Sequence, residues 1–209
     1  MTQWGSSIAR CSLLLWCFAL AACGQLLSAP IATELTQLAP GNYSLDPNHT
    51  TVLFKIDHLG VSSFVGRFNR ADAELDYQAQ DPASSRIRAT VAMTSLDINR
   101  PDFADTLMSC DWLCAEKFPK AYFASTGRAS LTGQTLRFPG RLEFRGVSAD
   151  AELSVTLRGG TTNRLTGDKV IGFDAQLHFK RSSFGMARYI PLVGDDVAIE
   201  VYAEFARRK

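Results

Sequence analysis

The chain has 209 residues, of which 46% are hydrophobic, 21% charged and 10% aromatic. That is enough apolar material for one domain with its own core, and it argues against long disorder. The formal net charge is only +1, which excludes a broad electrostatic drive toward nucleic acid. The terminal run Arg207-Arg208-Lys209 reads as a solvated tail.

Near the N-terminus, Arg10 precedes an apolar run from Leu13 to Leu20. The run is too short to cross a bilayer and has the length of a secretory h-region. It ends in Leu20-Ala21-Ala22-Cys23, which resembles the lipobox of bacterial lipoproteins. That resemblance implies a signal peptide over 1–22, lipidation at Cys23 and a periplasmic protein held on a bacterial membrane. Gly24 in place of Asp after the Cys points to the outer membrane by similarity to lipoprotein sorting signals. Ordinary cleavage at a small-residue site is the alternative and would leave a soluble chain. Residues 23–41 contain Ser, Thr, Ala and two Pro without sustained periodicity and read as a tether.

The folded domain is expected over 42–207. Tyr43-Ser44-Leu45 looks like a short opening strand, and Asp46-Pro47-Asn48 carries turn chemistry. Next, Val52, Phe54 and Ile56 share one face of a strand and His58 continues it, while Lys55 and Asp57 take the other face. The same alternation recurs over 71–77, 87–93, 122–129, 136–144, 151–157, 170–179 and 197–205, with Gly133-Gln134 as a hairpin turn. Short alternating strands at hairpin spacing predict an all-β fold: an antiparallel up-and-down barrel of about eight strands, whose closure removes sheet edges.

Residues 101–118 break the pattern with a short helical insert. Asp102 can cap a first helix and Asp111 a second. Such an insert either plugs the barrel or borders its mouth, and plugging is the simpler reading. Cys110 and Cys114 lie in it. An even pair in an oxidising compartment suggests a disulfide, with two small buried hydrophobes as the alternative.

Catalytic groupings are scarce. His49, His58 and His178 stand in no metal spacing, Ser182-Ser183 lacks a nucleophile elbow, and Asp195-Asp196 reads as a solvated turn pair. No enzyme activity and no metal are expected. His49 is expected to cap local backbone, and His58 to be either a core histidine or a polar group at a rim.

Several ordered motifs resemble the YceI-like proteins. Leu45-Asp46 with His49-Thr50 leads into Val52–Gly60 and Val65-Gly66-Arg67-Phe68. Ser95-Leu96-Asp97 precedes the insert, and Asp111-Trp112 leads to Glu116-Lys117-Phe118-Pro119. Gly140 to Val147, Lys180 to Gly185 and Val193 to Val197 complete the set. The resemblance covers about 42–206. Thr50 stands where the family usually has Ser, and the Cys pair lies where its insert varies. It implies a lipocalin-like barrel holding a polyisoprenoid or similar amphiphilic lipid, with no cofactor and no established catalysis, in proteins that are often homodimers. With strand parity, it places Val52, Phe54, Ile56, Phe68, Val91, Leu142, Phe144 and Phe184 around a ligand, with His58 and Arg181 at its polar head. A scaffold with no ligand, or a lipid-modifying enzyme using the barrel as a tunnel, are the competing uses of such a fold.

Overall fold

In a computed structural model the chain is described over residues 29–208. The expected signal peptide and the acylation site at Cys23 lie outside the described residues. In chain order the elements are β1 (Gly41–His58), β2 (Ser62–Phe68), β3 (Ala71–Tyr77), β4 (Arg86–Ala92), β5 (Leu96–Asp97), α1 (Pro101–Met108), β6 (Lys120–Ser125), β7 (Ser130–Thr132), β8 (Thr135–Phe144), β9 (Val147–Thr162), β10 (Lys169–Lys180) and β11 (Val193–Arg207).

β2 and β3 follow one another along β1, with Val52 opposite Phe68 and Tyr43 opposite Leu75, so together they act as one bent strand. Antiparallel pairing then runs β3–β4–β6–β8–β9–β10–β11, and β11 pairs back onto β1. The product is a closed eight-stranded antiparallel barrel with up-and-down connections. β5 adds a short pairing to β2, and β7 to β8. Tight turns permit this order. Phe144 pairs with Val147 across Arg145 and Gly146, both at positive φ (50° and 74°), which is the twist a two-residue hairpin requires.

The opening strand and the turn expected after it are in fact one strand. Leu45 pairs with Phe205 and Thr50 with Ala203, so β1 loops out three residues relative to β11. An odd number of looped-out residues reverses the alternation. Odd-numbered Tyr43 and Leu45 and even-numbered Val52 and Phe54 are therefore all buried in the same interior. Asp46 builds the loop: its carboxylate accepts from the Asn48 N–H at 2.9 Å and pairs with His49 Nδ1 at 2.8 Å, and its carbonyl accepts from Thr50 Oγ1 at 2.6 Å. His49 thus bonds a side chain, where a backbone cap was expected.

The end of the barrel where β1 begins is sealed by part of the segment expected to be a tether. A 3₁₀ turn over Leu35–Gln37 brings Leu35 and Leu38 onto one side, as an i,i+3 spacing does in that helix, and both are buried. Each contributes about 2 kcal/mol of burial, which offsets part of the entropy lost in ordering the segment. Tyr77 Oη donates to the Leu35 carbonyl at 2.6 Å and Tyr43 Oη to that of Ala39 at 2.7 Å. Gly160 leaves the room: a Cβ there would sit 2.3 Å from Leu38 Cδ2. Residues 29–208 thus contain all eight strands of the ring and the segment that seals this end.

The insert contains one helix. Asp102 falls inside the first turn of α1, paired with Arg100 at 3.0 Å, and does not cap it. The second helix expected after Asp111 is absent. Cys114 there takes φ 51°, which no α-helix accommodates, and its sulfur is bonded to that of Cys110. Residues 109–119 are instead a chain of turns.

Candidate functional site

Toward the end where β1 stops, the barrel is not filled. A cavity of about 710 Å³ lies there, lined almost entirely by apolar side chains. Its width follows from register. Ala71 pairs with Val91 and Val91 with Ala121, while Ala73 pairs with Ala89. Small inward residues thus fall side by side across β3, β4 and β6, and that wall recedes. Ala175 does the same on β10. Deeper in, Tyr77, Phe138, Phe173 and Phe205 close the floor.

Val52, Phe54, Ile56, Phe68, Val91, Leu142 and Phe144 all line this cavity. His58 lines it too, at an exposed position where β1 leaves the barrel, so it is a rim residue and not a core histidine. Phe184 does not reach the cavity. It is buried behind the wall against Phe144 and Phe179, at ring-centroid distances of 5.5 and 5.3 Å. It belongs to the 3₁₀ turn Arg181–Phe184, so strand parity does not govern its direction.

Arg181 borders the cavity, but its polar atoms are spent elsewhere. The side chain is 0% exposed. Its Nε donates to the Gly194 carbonyl at 2.7 Å, Nη1 to Met186 at 2.6 Å, and Nη2 to Arg188 at 3.0 Å and Val193 at 2.8 Å. The guanidinium therefore gathers the 181–194 loop around itself and is not a free cation for a head group. Burial lowers its pKa from the ordinary arginine value, partly offset by Asp195. Asp195 in turn accepts from the Ser182 N–H and Oγ, each at 2.8 Å, and the backbone bond chiefly holds its carboxyl low.

The mouth is bordered by three loops: the β1–β2 turn, the α1 insert and the loop between β10 and β11. Phe103, Leu107, Trp112 and Leu113 of the insert face the cavity, so the insert borders the opening and does not plug it. Trp112 packs on Tyr189 at 6.0 Å and under the Arg181 guanidinium at 5.9 Å, and Asp111 forms an ion pair with Arg188. Trp112 and Tyr189 were not legible from strand alternation because both sit in turns. Phe64 was missed as well, although it shares parity with Phe68 on β2 and lines the cavity. His178 is exposed on the outer face of β10, away from His58. Among the described residues no group of three or more His, Cys, Asp or Glu is arranged to hold a metal ion.

This architecture recurs in known proteins. A relative in Shewanella putrefaciens, described as a UPF0312 protein, is 30% identical over 191 residues, covering 88% of this chain and 98% of its own. The crystal structure of Burkholderia cenocepacia BcnA superposes with a TM-score of 0.68 at 22% identity, covering 77% of this chain and 98% of its own. The structure of a polyisoprenoid binding domain from Saccharophagus degradans, implicated in plant cell wall breakdown, gives a TM-score of 0.58 at 12% identity, covering 79% and 98%. The YceI-like domain model matches residues 43–205, and the chain belongs to the YceI-like family.

Proposed function

We propose that this protein binds a long-chain isoprenoid or related amphiphilic lipid in its barrel and carries it in the periplasm from a lipid anchor at Cys23. The observation that carries this reading is the apolar cavity of about 710 Å³ open at one end of a sealed barrel. Such a space suits a flexible chain with one polar terminus. Ten buried methylenes contribute about 8 kcal/mol, the size of a micromolar affinity before ordering costs. The likeness to a domain described as polyisoprenoid binding supports the same ligand class. His58, Asp111 and Arg188 stand around the opening, where a polar terminus would emerge.

Mass spectrometry of an organic extract of the purified protein tests the proposal. A prenyl or comparable long-chain lipid at near-stoichiometric yield is expected, and repeated extraction of nothing would overturn it. The anchor is tested separately, by incorporation of labelled palmitate into the wild type and its loss in Cys23→Ala.

A further inference from the structure

The loops around the mouth expose apolar side chains that face neither the cavity nor the core. Val61 is 85% exposed, Leu192 59% and Leu59 54%, with Ile190 in the same loop, and Tyr189 of that loop is exposed while also lining the cavity. They form one surface. The Leu59 N–H donates to the Leu192 carbonyl at 2.8 Å, tying the β1–β2 turn to the loop before β11, and Tyr189 packs on Trp112 at the opening.

Two of these residues hold backbone conformations that suit glycine or asparagine. Leu59 and Tyr189 both have φ 63°, where a bulky side chain is an outlier. Exposure and turn chemistry would each favour a small polar residue at both positions. Stability alone does not account for a leucine at position 59, whereas Tyr189 also packs on Trp112.

We infer that this rim is a docking surface for a lipid bilayer, through which the cavity exchanges its lipid. The inference rests on the carrier reading above. A chain leaving the cavity into water exposes its methylenes, and each one slows the exit about fourfold. An apolar rim seated in a bilayer removes that barrier, because the chain passes from one apolar phase to another. The nearby charges are largely paired, Asp111 with Arg188 and Arg100 with Asp102, so the contact is an apolar insertion and not attraction to an acidic surface.

The position of the N-terminal extension favours a bilayer other than the anchoring one. The described chain begins beside Gly160, which bridges to Ala32, at the sealed end opposite the mouth. With Cys23 acylated, about six residue steps reach Ala29, at most ~21 Å. The twelve residues of β10 rise ~40 Å along the strand, or roughly 30 Å of barrel height after tilt. The tether is too short to turn the mouth face-down onto the membrane that anchors it.

Residues 29–208, which lack the anchor, are the material for the test. Flotation with phosphatidylcholine vesicles reports docking, and transfer of dansyl-farnesol to acceptor vesicles reports exchange. Val61→Asp with Leu192→Asp is expected to lower the bound fraction and the transfer rate about tenfold, with probe binding in solution unchanged. Leu59→Asn, whose backbone accepts φ 63°, is expected to weaken flotation without lowering the melting temperature. Equal flotation of wild type and variants would overturn the docking surface while leaving the carrier reading intact. So would a wild type that ignores vesicles and forms a dimer that Val61→Asp abolishes, which would make a second copy the occupant. Failure of the wild type to bind the probe at all would instead overturn the carrier reading.

Discussion

Asp46 and His49 face each other across the residues that β1 loops out, Nδ1 to carboxylate at 2.8 Å, and this small bridge lets both halves of an eighteen-residue strand point their apolar faces inward. Without the loop, one half of β1 would have to turn its tyrosine and leucine, or its valine and phenylalanine, to solvent.

Removing the bridge should therefore cost stability. Asp46→Ala is expected to lose about 1–2 kcal/mol, since the Asn48 N–H and the His49 ring both lose an acceptor, measured by denaturant unfolding. The Asp46 hydrogen bond raises the His49 pKa above 6.5. That contribution is present in full below the unfolded value and is lost as pH rises through the folded one. His49 is exposed, so the effect is small; NMR titration of the His49 ring should show the raised pKa in wild type and its return toward 6.5 in Asp46→Ala.

Arg181 is expected to behave as the pin of its loop. Arg181→Met leaves four carbonyls without their donor and should cost about 3–5 kcal/mol in chemical denaturation. Arg181→Lys should recover little of this, because an ammonium cannot reproduce the fork. A lysine variant of wild-type stability with altered lipid binding would return Arg181 to the head-group role.

The receding wall offers a way to change the ligand without touching the mouth. Ala175→Phe should fill part of the cavity and displace about three methylenes, weakening the longest chains by about 2–3 kcal/mol while sparing shorter ones. Displacement of a fluorescent probe by prenols of graded length would show the shift in preferred length.

Asp97 ties the start of the insert to β2. Its carboxylate accepts from the Asn99 N–H at 3.0 Å and from Arg67 at 2.9 and 2.7 Å, and these bonds, the backbone one first, lower its pKa from 3.8 to about 2. The stabilisation is complete above 3.8 and is lost as pH falls toward 2. Probe release from the cavity should accelerate in that window, and Asp97→Asn should flatten the response.

The Cys110–Cys114 bond closes the loop that carries Asp111, Trp112 and Leu113 over the opening. Replacing both cysteines by serine should lower stability by about 2 kcal/mol, the chain-entropy value for so short a loop. Stopped-flow measurement should show faster probe release, because Trp112 is less firmly held against Tyr189.

Much of the barrel was legible in the chain because period-two alternation is a local property: Val52, Phe54, Ile56 and Leu142 declare their face within their own strands. The same reading failed at Phe184 and Arg181, which sit in a 3₁₀ turn where parity has no meaning. It also left Leu35 and Leu38 in a tether, since nothing local says that Gly160 leaves a place for them. The insert defeated it for a related reason, as the second helix yields to a positive φ at Cys114 and to packing against a loop some seventy residues later.

Sequence alone was enough for the family, the antiparallel strand succession and the alternation that divides each strand into two faces. Whether that interior is solid or hollow was decided only by tertiary structure. Ala71, Val91 and Ala121 lie far apart in the chain, and a cavity exists because register sets them in one row. Register is a relation between strands, fixed in part by three looped-out residues in β1, and alternation within any one strand cannot report it.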